Sequence, residues 1–350
     1  MKLQSAFALP ALEARPLVSV LMSSYNYARY VGAALDSALE QSYRHLEIIV
    51  CDDGSSDDSC SIIQGRADHD PRVRLMRKEN GGCASALNRA FAESQGSIVC
   101  LLDADDLWER AKLERVVNAF QEHADCGLVT HPLKIIDSQG RGRGEFHCVA
   151  GGLLGEDIAT LRMGHLMPVC SGLSFRRPVL DMVMPLPEEQ FRSSADHAIA
   201  YAAATLTRTE RVSELLGSYR VHGGNLTGTT LTAERLTVEH LRKMLSSIER
   251  VVNFADEFSQ EHLGRPVPAS RSRNVLEHRI MLAVLSDDSA LLRKSHEDLR
   301  RAYQEVRRDY PALRYRFWEV LATLPPPLAR ATLQGFFRLL RLKTRLAAGR

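Results

Sequence analysis

The chain of 350 residues is long enough for a sizeable buried core, and 45% hydrophobic with 25% charged residues is the composition of an ordinary globular protein. A formal net charge of +2 gives no reason to expect a partner such as nucleic acid. The seven cysteines lack Cys-x-x-Cys spacing, and residues 1–16 make a poor signal peptide, which together favour reduced thiols and a cytoplasmic protein.

Apolar runs alternate with helical patterns over the first hundred residues. They predict strands at 18–22, 46–51, 73–76 and 97–102, and helices at about 29–41, from about 56, and at 83–94. This alternation is typical of a mainly parallel sheet with helices on both faces. Ligands of such sheets bind beyond the carboxyl ends of the strands. The first, second and fourth strands end in polar or acidic residues, so we expect the functional site at that edge.

The rest of the chain is less regular and then becomes helical. Short strand patterns at 127–131 and 133–137 precede a helical pattern near 196–206, and after Gly228 the pattern is helical except at Pro266, Pro268, Pro325, Pro326 and Pro327. We therefore predict three parts, which are an N-terminal extension over 1–16, an α/β domain over 17–228 and a helical C-terminal region over 229–350.

Asp103 and Asp105 follow the fourth predicted strand. Two carboxylates two residues apart on an extended segment face the same way. Beside a diphosphate, they form a hard-oxygen site for Mg²⁺ or Mn²⁺, and the metal would neutralise the departing diphosphate. The alternative is a solvated acidic turn. Asp106 and Glu109 fit a capping box, which predicts a helix over 107–120.

Two further loops carry polar residues at the same edge. Asp52 and Asp53 follow the second strand, where a carboxylate can accept a hydrogen bond from a pyrimidine N–H or a ribose hydroxyl; a plain strand–turn–helix junction is the alternative. The loop Asn80-Gly81-Gly82 enters the helix of 83–94. Its backbone amides could bind a phosphate, although helix capping would use the same glycines.

Together these motifs resemble those of family 2 of the inverting glycosyltransferases, which have the GT-A fold. The segments that carry the resemblance are 18–26, 41–43, 47–57, 80–82, 86–88, 101–108 and 112–113, and the match runs over about 17–225. The resemblance implies a GT-A-like (Rossmann-like), mainly parallel sheet flanked by helices. It also implies a metal-dependent hexosyltransferase that moves a sugar from a nucleotide diphospho-sugar to a hydroxyl with inversion.

The resemblance further implies roles for individual residues. It places the donor nucleotide against Ser24, Tyr25, Asn26, Asp52, Asp53, Asn80, Gly81, Asn88 and Asp103. It assigns the metal to Asp105, Asp103 and His222, the donor sugar and acceptor to Ser171 and Gly172, and the catalytic base to Asp196. The chain departs from the family pattern at Leu87, where an arginine is common, and at Ala195, where a glutamate usually precedes the base.

Two of these residues have alternative interpretations, and two rival classes of protein remain. Asp196 can take the proton from an attacking hydroxyl or cap a helix over 197–206, and His222 is either a ligand or a packed or surface histidine. One rival is a non-catalytic nucleotide-sugar-binding scaffold, against which the intact acidic residues argue. The other is a nucleotidyltransferase, which should have a Gly-rich basic loop where this chain has Ser23-Ser-Tyr-Asn-Tyr27.

The last residues combine apolar and basic side chains at helical spacing. Phe336, Leu339, Leu340, Leu342 and Leu346 alternate with Arg338, Arg341, Lys343 and Arg345, and no acid follows Glu319. A helix over about 328–346 can lie on an anionic membrane or pack on the protein with a solvated basic face. We expect a UDP-sugar as the favoured donor and a saccharide or lipid-linked acceptor in bacterial surface polysaccharide or glycolipid synthesis. The protein would be cytoplasmic or peripheral on the inner face of the membrane.

Overall fold

The computed structural model describes residues 8–146, 169–223, 237–264, 273–305 and 312–348. Within these ranges the chain forms two compact units, one up to residue 223 and the other from residue 237. The first is α/β and the second is helical. The predicted boundary between residues 228 and 229 lies outside the described residues. The six cysteines of the described ranges are free, and Cys148 lies outside them.

The first unit contains strands and helices in alternation. Its strands are β1 Val18–Ser24, β2 Leu46–Asp52, β3 Val73–Arg77, β4 Ile98–Leu101, β5 Leu107–Trp108, β6 Cys126–Thr130, β7 Leu133–Asp137, β8 Gly142–Phe146, β9 Leu173–Arg176, β10 Arg208–Arg211 and β11 Gly217–Val221. Its α-helices are α1 Val31–Leu39, α2 Ser59–His69, α3 Cys83–Glu93, α4 Lys112–Glu122, α5 Arg177–Val183 and α6 Ala195–Leu206. A short 3-10 helix, Cys170–Gly172, precedes β9.

Seven strands form the main sheet in the order β10-β6-β9-β4-β1-β2-β3. β1 pairs in parallel with β2 and β4, β2 pairs in parallel with β3, and β10 with β6. β9 is different, because it lies antiparallel between β4 and β6. The mainly parallel α/β sheet flanked by helices that the sequence predicts is therefore confirmed.

Apolar side chains on both faces of the central strands hold this sheet in the interior. Val20, Leu21 and Met22 are consecutive in β1 and at most 1% exposed. Because consecutive strand residues point to opposite faces, both faces of β1 must be covered. Val20 and Met22 share a core with Leu35 of α1, and α3 packs against β1 and β2. The carboxyl ends of the strands are thereby fixed.

Four strands form a smaller sheet in the order β5-β11-β7-β8. Gly217 in β11 pairs with Trp108 in β5, and a Cβ at Gly217 would come within 2.8 Å of the Leu107 carbonyl oxygen. The close approach of the two strands therefore requires glycine. β11 continues in parallel with β7. Its residue Arg220 lies beside the acidic residues that follow β4, because its backbone N–H donates to Asp106.

The helix predicted over 107–120 is wrong at its start. Leu107 and Trp108 are extended and pair with Ser218 and Gly217 of β11, and α4 begins only at Lys112. Its N-cap, Ala111, makes no side-chain capping bond. Sheet pairing with a distant segment overrides the local capping pattern here, and the capping box of Asp106 and Glu109 is not formed.

The second unit is built from helices throughout its described ranges. They are α7 Val238–Leu263, α8 Arg273–Ser286, α9 Ser289–Glu305, α10 Ala312–Thr323 and α11 Pro326–Ala348. The break predicted at Pro325–Pro327 and the tail helix are confirmed, whereas Pro266, Pro268 and the side chains after Phe337 lie outside the described part. No described helix combines the length and apolarity needed to cross a bilayer.

Candidate active site

Three aspartates follow β4 and turn away from the sheet. Asp105 is 5% exposed and Asp106 is fully buried, whereas Asp103 is half-buried. Asp106 Oδ2 accepts a hydrogen bond from Ser171 Oγ at 2.6 Å, and its Oδ1 accepts one from the Arg220 backbone N–H at 2.8 Å. Asp106 is therefore a brace between the 3-10 helix and β11, and not the helix cap that the sequence predicts.

Ser171 orients this acidic turn from behind. Its hydroxyl accepts a hydrogen bond from the Asp103 backbone N–H at 3.0 Å while it donates to Asp106, and its carbonyl accepts one from Trp108 Nε1 at 2.8 Å. Ser171 and Gly172 are both buried. Their contact with donor sugar or acceptor stays a prediction, and the observed role of Ser171 is to hold the backbone of the acidic residues.

Two residues near the end of β11 approach Asp105. His222 Nε2 lies 2.9 Å from Asp105 Oδ2, and Arg220 Nε donates to the Asp105 carbonyl at 2.7 Å. The sequence analysis singled out His222 but missed Arg220, which is only 6% exposed. An arginine two residues before a metal-ligand candidate was the available signal. His222 is thus neither a surface residue nor a plain core residue, because it pairs with a candidate metal ligand.

Aromatic rings at the start of α1 close the same side of the site. The rings of Tyr27 and Tyr30 lie 6.0 Å and 5.0 Å from that of His222, and the Arg220 guanidinium lies over Tyr30 at 4.9 Å. Burial, with the charge of Asp105 next, raises the pKa of Tyr27. The sequence analysis chose Tyr25 instead, whose side chain is 46% exposed at the surface. Donor binding by Tyr25 stays a prediction.

The ends of β1 and β2 are tied to each other by side chains predicted to bind the nucleotide. Asn26 Oδ1 accepts from the Ser56 N–H, and the Asn26 N–H donates to Ser55 Oγ, each at 2.8 Å. Asp52 accepts from the N–H and hydroxyl of Ser55 at 2.8 and 2.6 Å. Ser24 Oγ is buried without a hydrogen-bond partner among the described residues, and its contact with the donor stays a prediction.

Asp53 fastens the glycine loop. Its carboxylate accepts from Lys78 Nζ at 2.9 Å and from the N–H groups of Gly81 and Gly82 at 2.9 and 2.7 Å. The Asn80 side chain donates to the Asp53 carbonyl at 3.1 Å. Donor binding by Asp53, Asn80 and Gly81 stays a prediction, but these two backbone amides are used within the protein and are not offered to a phosphate.

The first turn of α3 is also occupied by protein oxygens. The N–H groups of Cys83 and Ala84 donate to the carbonyls of Arg192 and Phe191 at 3.0 and 3.1 Å. Gly82 has φ +90°, and a Cβ there would lie 2.6 Å from Arg192 Cα. The anion-binding helix N-terminus that the sequence suggests is therefore not formed. The glycine loop instead packs against the segment that leads into α6.

Asn88 braces that segment further back. Its side chain donates to the Leu186 carbonyl and accepts from the Leu186 N–H, both at 2.9 Å, beyond a cis Met184–Pro185 peptide bond. Leu87, which replaces the arginine common in the family, is buried in the core. Both ends of the Asn88 amide are therefore engaged in structure, and its contact with the donor stays a prediction.

Asp196 faces the acidic turn from the start of α6. The helix begins at Ala195 with Ser194 as N-cap, so the alternative role of Asp196 as N-cap is wrong. Burial, then the charges of Asp105 and Asp196, raises the pKa of Asp103 to about 8. Asp103 is thus close enough to both Asp105 and Asp196 for each of their charges to act on it. The roles of Asp103 and Asp105 as metal ligands and of Asp196 as base stay predictions.

The three aspartates after β4 concentrate carboxylates in a largely buried turn, which fits a divalent cation. Burial raises the pKa of Asp103, Asp105 and Asp106, and neighbouring carboxylates raise those of Asp103 and Asp106 further. Among the described residues no three His, Cys, Asp or Glu side chains lie at metal-ligand spacing. Mg²⁺ is usually held by one or two carboxylates with substrate phosphates and water. The carboxylates of Asp105 and Asp103 meet that requirement.

Two solved structures share this fold. TarS 1–349 of S. aureus, in complex with UDP-GlcNAc, gives a TM-score of 0.54 at 19% identity and covers 94% of this chain and 92% of that chain. The mannosyltransferase PcManGT of Pyrobaculum calidifontis, in complex with GDP-Man and Mn²⁺, gives 0.50 at 20% identity and covers 98% and 90%. The chain therefore has the GT-A fold of glycosyltransferases.

Sequence comparison identifies the family within that class. The profile of Glycosyl transferase family 2 matches residues 19–181. An uncharacterized glycosyltransferase of Nostoc sp. is 35% identical over 267 residues, which are 75% of this chain and 81% of that protein. Chondroitin synthase of Pasteurella multocida is 41% identical over 105 residues, 30% of this chain but 11% of the synthase. The chain belongs to glycosyltransferase family 2, as its motifs predict.

Proposed function

We propose that the chain is an inverting, metal-dependent glycosyltransferase that moves a sugar from a nucleotide diphospho-sugar to a hydroxyl of a saccharide or lipid-linked acceptor. The observation that carries the proposal is the acidic turn after β4, where Asp105 Oδ2 lies 2.9 Å from His222 Nε2 and the buried Asp106 accepts hydrogen bonds from Ser171 and Arg220. A UDP-sugar is the favoured donor, since TarS, which shares the fold, was solved with UDP-GlcNAc.

The acceptor and the location are proposed from a sequence relative and from the composition of the tail. The similarity to a chondroitin synthase favours a growing surface polysaccharide or a glycolipid as acceptor. The basic tail sequence favours a cytoplasmic enzyme that binds the inner face of the membrane peripherally. We expect no nucleic-acid partner, since the formal net charge is only +2.

Asp105 and Asp103, with His222 beside them, would hold Mg²⁺ or Mn²⁺. PcManGT, which shares the fold, was solved with Mn²⁺. When bound, the cation supplies charge neutralisation to the diphosphate leaving group. It would also offset the repulsion between the carboxylates, whose pKa values are raised by burial. The backbone bonds from Ser171 and Arg220 keep the acidic turn in place whether or not the donor is present.

Asp196 acts as general base in this proposal. The hydroxyl oxygen of the acceptor attacks the anomeric carbon as its proton moves to the Asp196 carboxylate and the bond to the diphosphate breaks. Although burial acts to raise it, the pKa of Asp196 is lowered by the charge of His197 and by hydrogen bonds, so the carboxylate is ionised at neutral pH. A single displacement of this kind inverts the anomeric centre.

Replacement of Asp196 by asparagine tests the base. Asp196→Asn keeps the size of the side chain but cannot take the proton, and we expect a loss of about 10²–10⁴-fold in transfer rate. Donor binding, followed as the rise in melting temperature with UDP-, GDP-, dTDP- and CDP-sugars, should be unchanged. Asp181→Asn, at an exposed carboxylate of α5, is the control. A transfer rate within a few-fold of native would move the base role to Glu188 or Glu189.

The metal is tested separately. Asp105→Ala, or a chelator added to the native enzyme, should abolish transfer and remove the Mn²⁺-dependent part of the donor-induced rise in melting temperature. Readdition of Mn²⁺ or Mg²⁺ should restore the chelated native enzyme but not the variant. Full turnover in chelator would contradict metal dependence and leave the assignment of Asp196 untouched.

A further inference from the structure

Asp196 has a neighbour that no motif singles out. His197 Nδ1 lies 3.2 Å from Asp196 Oδ1, and the two side chains are 32% and 16% exposed. Side chains of consecutive helix residues point about 100° apart and do not normally face each other. The contact therefore requires both side chains to turn toward each other at the first turn of α6, directly after Ser194, whose φ is +64°. Helix geometry alone does not produce it.

Other ionisable groups near Asp196 and His197 act on the pair. Asp196 and, less strongly, Asp103 act to raise the pKa of His197 against the effect of burial. Cys83 and Cys170 also face Asp196, and burial first of all raises the pKa of both thiols, so they stay neutral. His197 is thus the basic side chain that pairs with Asp196, at 3.2 Å.

We infer that His197 is a positioning residue that fixes the plane of the Asp196 carboxylate, so that a lone pair faces the arriving acceptor hydroxyl. The inference rests on the proposed function, because it assumes that Asp196 is the base. An unrestrained carboxylate rotates about its χ2 bond and would also be pushed away from Asp103 and the donor diphosphate. Nδ1 holds one oxygen and prevents both movements. The proton still passes from the hydroxyl to Asp196, and His197 gains and loses nothing.

Two amide variants test this geometry. His197→Asn places an N–H near the position of Nδ1, whereas His197→Gln carries its amide farther out, near the position of Nε2. We expect the Asn variant to keep kcat within a few-fold of native. The Gln and Ala variants should lose about 10–10²-fold in kcat, the cost of a misplaced reacting group. Donor-induced stabilisation and the acceptor KM should change by less than a few-fold. His69→Ala, at an exposed histidine ending α2, is the control.

A double variant separates this inference from the proposed function. Asp196→Asn combined with His197→Ala should be no slower than Asp196→Asn alone, because a positioning residue has no effect without the base it positions. Equal kcat in the Asn and Gln variants, or a parallel loss of donor affinity, would overturn the inference, as would a native rate in His197→Ala. If Asp196→Asn itself transfers at the native rate, the base assignment fails instead. Melting temperatures identify any variant that is unfolded. If His197→Ala is unfolded, the comparison of kcat between His197→Asn and His197→Gln decides whether the inference holds.

Discussion

Asp53 allows a sharp test, because its predicted and observed contacts differ. The family resemblance places it against the donor nucleotide, whereas its carboxylate is 4% exposed and accepts three hydrogen bonds, from Lys78, Gly81 and Gly82. Asp53→Asn keeps one acceptor oxygen and turns an NH₂ group toward a donor. Asp53→Ala removes all three bonds.

The size of the effect follows from these contacts. The Asn variant loses at least one hydrogen bond to a charged group, worth about 1.5–3 kcal/mol, so we expect the free energy of unfolding to fall by about 2–3 kcal/mol. The Ala variant leaves two backbone N–H groups unpaired and removes the carboxylate partner of the Lys78 ammonium, which keeps its bond to the Glu79 carbonyl, and we expect a loss of about 3–5 kcal/mol. The exposed ion pair of Arg66 and Asp36 should contribute below about 1 kcal/mol, which makes Asp36→Asn the matched control.

Urea denaturation followed by tryptophan fluorescence can measure these losses in the α/β unit separately from the helical unit. The chain has two tryptophans, Trp108 in the α/β unit and Trp318 in the helical unit. In a Trp318→Phe background the fluorescence therefore reports on Trp108 alone. Donor binding is measured in parallel, by the rise in melting temperature. Unchanged stability with lost donor binding in Asp53→Asn would refute the reasoning, because the carboxylate would then serve the nucleotide and not the loop.

Gly82→Ala should lower the free energy of unfolding by about 1–3 kcal/mol, because φ is +90° and the new Cβ meets Arg192; Gly65→Ala, with open space around its Cβ, is the control in the same urea titration. Burial lowers the pKa of His131 to about 3, so below pH 6.5 the unfolded chain binds a proton that the folded chain excludes. Native stability should therefore fall by about 2 kcal/mol more than that of His131→Asn between pH 6.5 and 5, measured by urea titration at each pH; parallel curves would contradict this burial. Serine at Arg338, Arg341 and Arg345 should weaken sedimentation with anionic vesicles without changing transfer to a soluble acceptor, and equal, salt-insensitive binding would exclude the membrane contact. This substitution is preferable to truncation, because Leu333 of the same helix is buried in the core.

The strands at the centre of the sheet could be predicted from sequence, because burial on both faces leaves a continuous apolar run. β1, β2 and β4 each show such a run followed by polar residues. β9 could not be predicted, since Leu173–Arg176 includes Ser174 and Arg176, which suggest a loop. Its extended form comes from pairing with β4 and β6 on either side. The same cause, pairing with a distant strand, defeated the helix prediction at Leu107.

The site was predictable where its residues are consecutive in sequence. Asp103 and Asp105 stand two apart after a strand, a pattern that indicates an acidic turn at this edge and fits either a metal site or a solvated turn. Arg220 and His197 were missed because their importance depends on contacts with Asp105 and Asp196, which no local pattern encodes. Asn88 shows the converse. The family resemblance assigns Asn88 to the donor, and no local pattern shows that its amide also holds the Leu186 backbone; its contact with the donor stays a prediction.

The antiparallel placement of β9 also sets an order of assembly during synthesis. β1 to β4 can pair with one another as soon as they leave the ribosome, whereas β6 has no neighbour in the main sheet until β9 is made. The two halves of that sheet therefore remain unjoined until Arg176 emerges. Ser171, which orients the acidic turn, arrives in the same short stretch. The strand that closes the sheet and the hydroxyl that sets the aspartates are thus delivered together, and a nascent chain that stops earlier has the acidic residues but lacks their support.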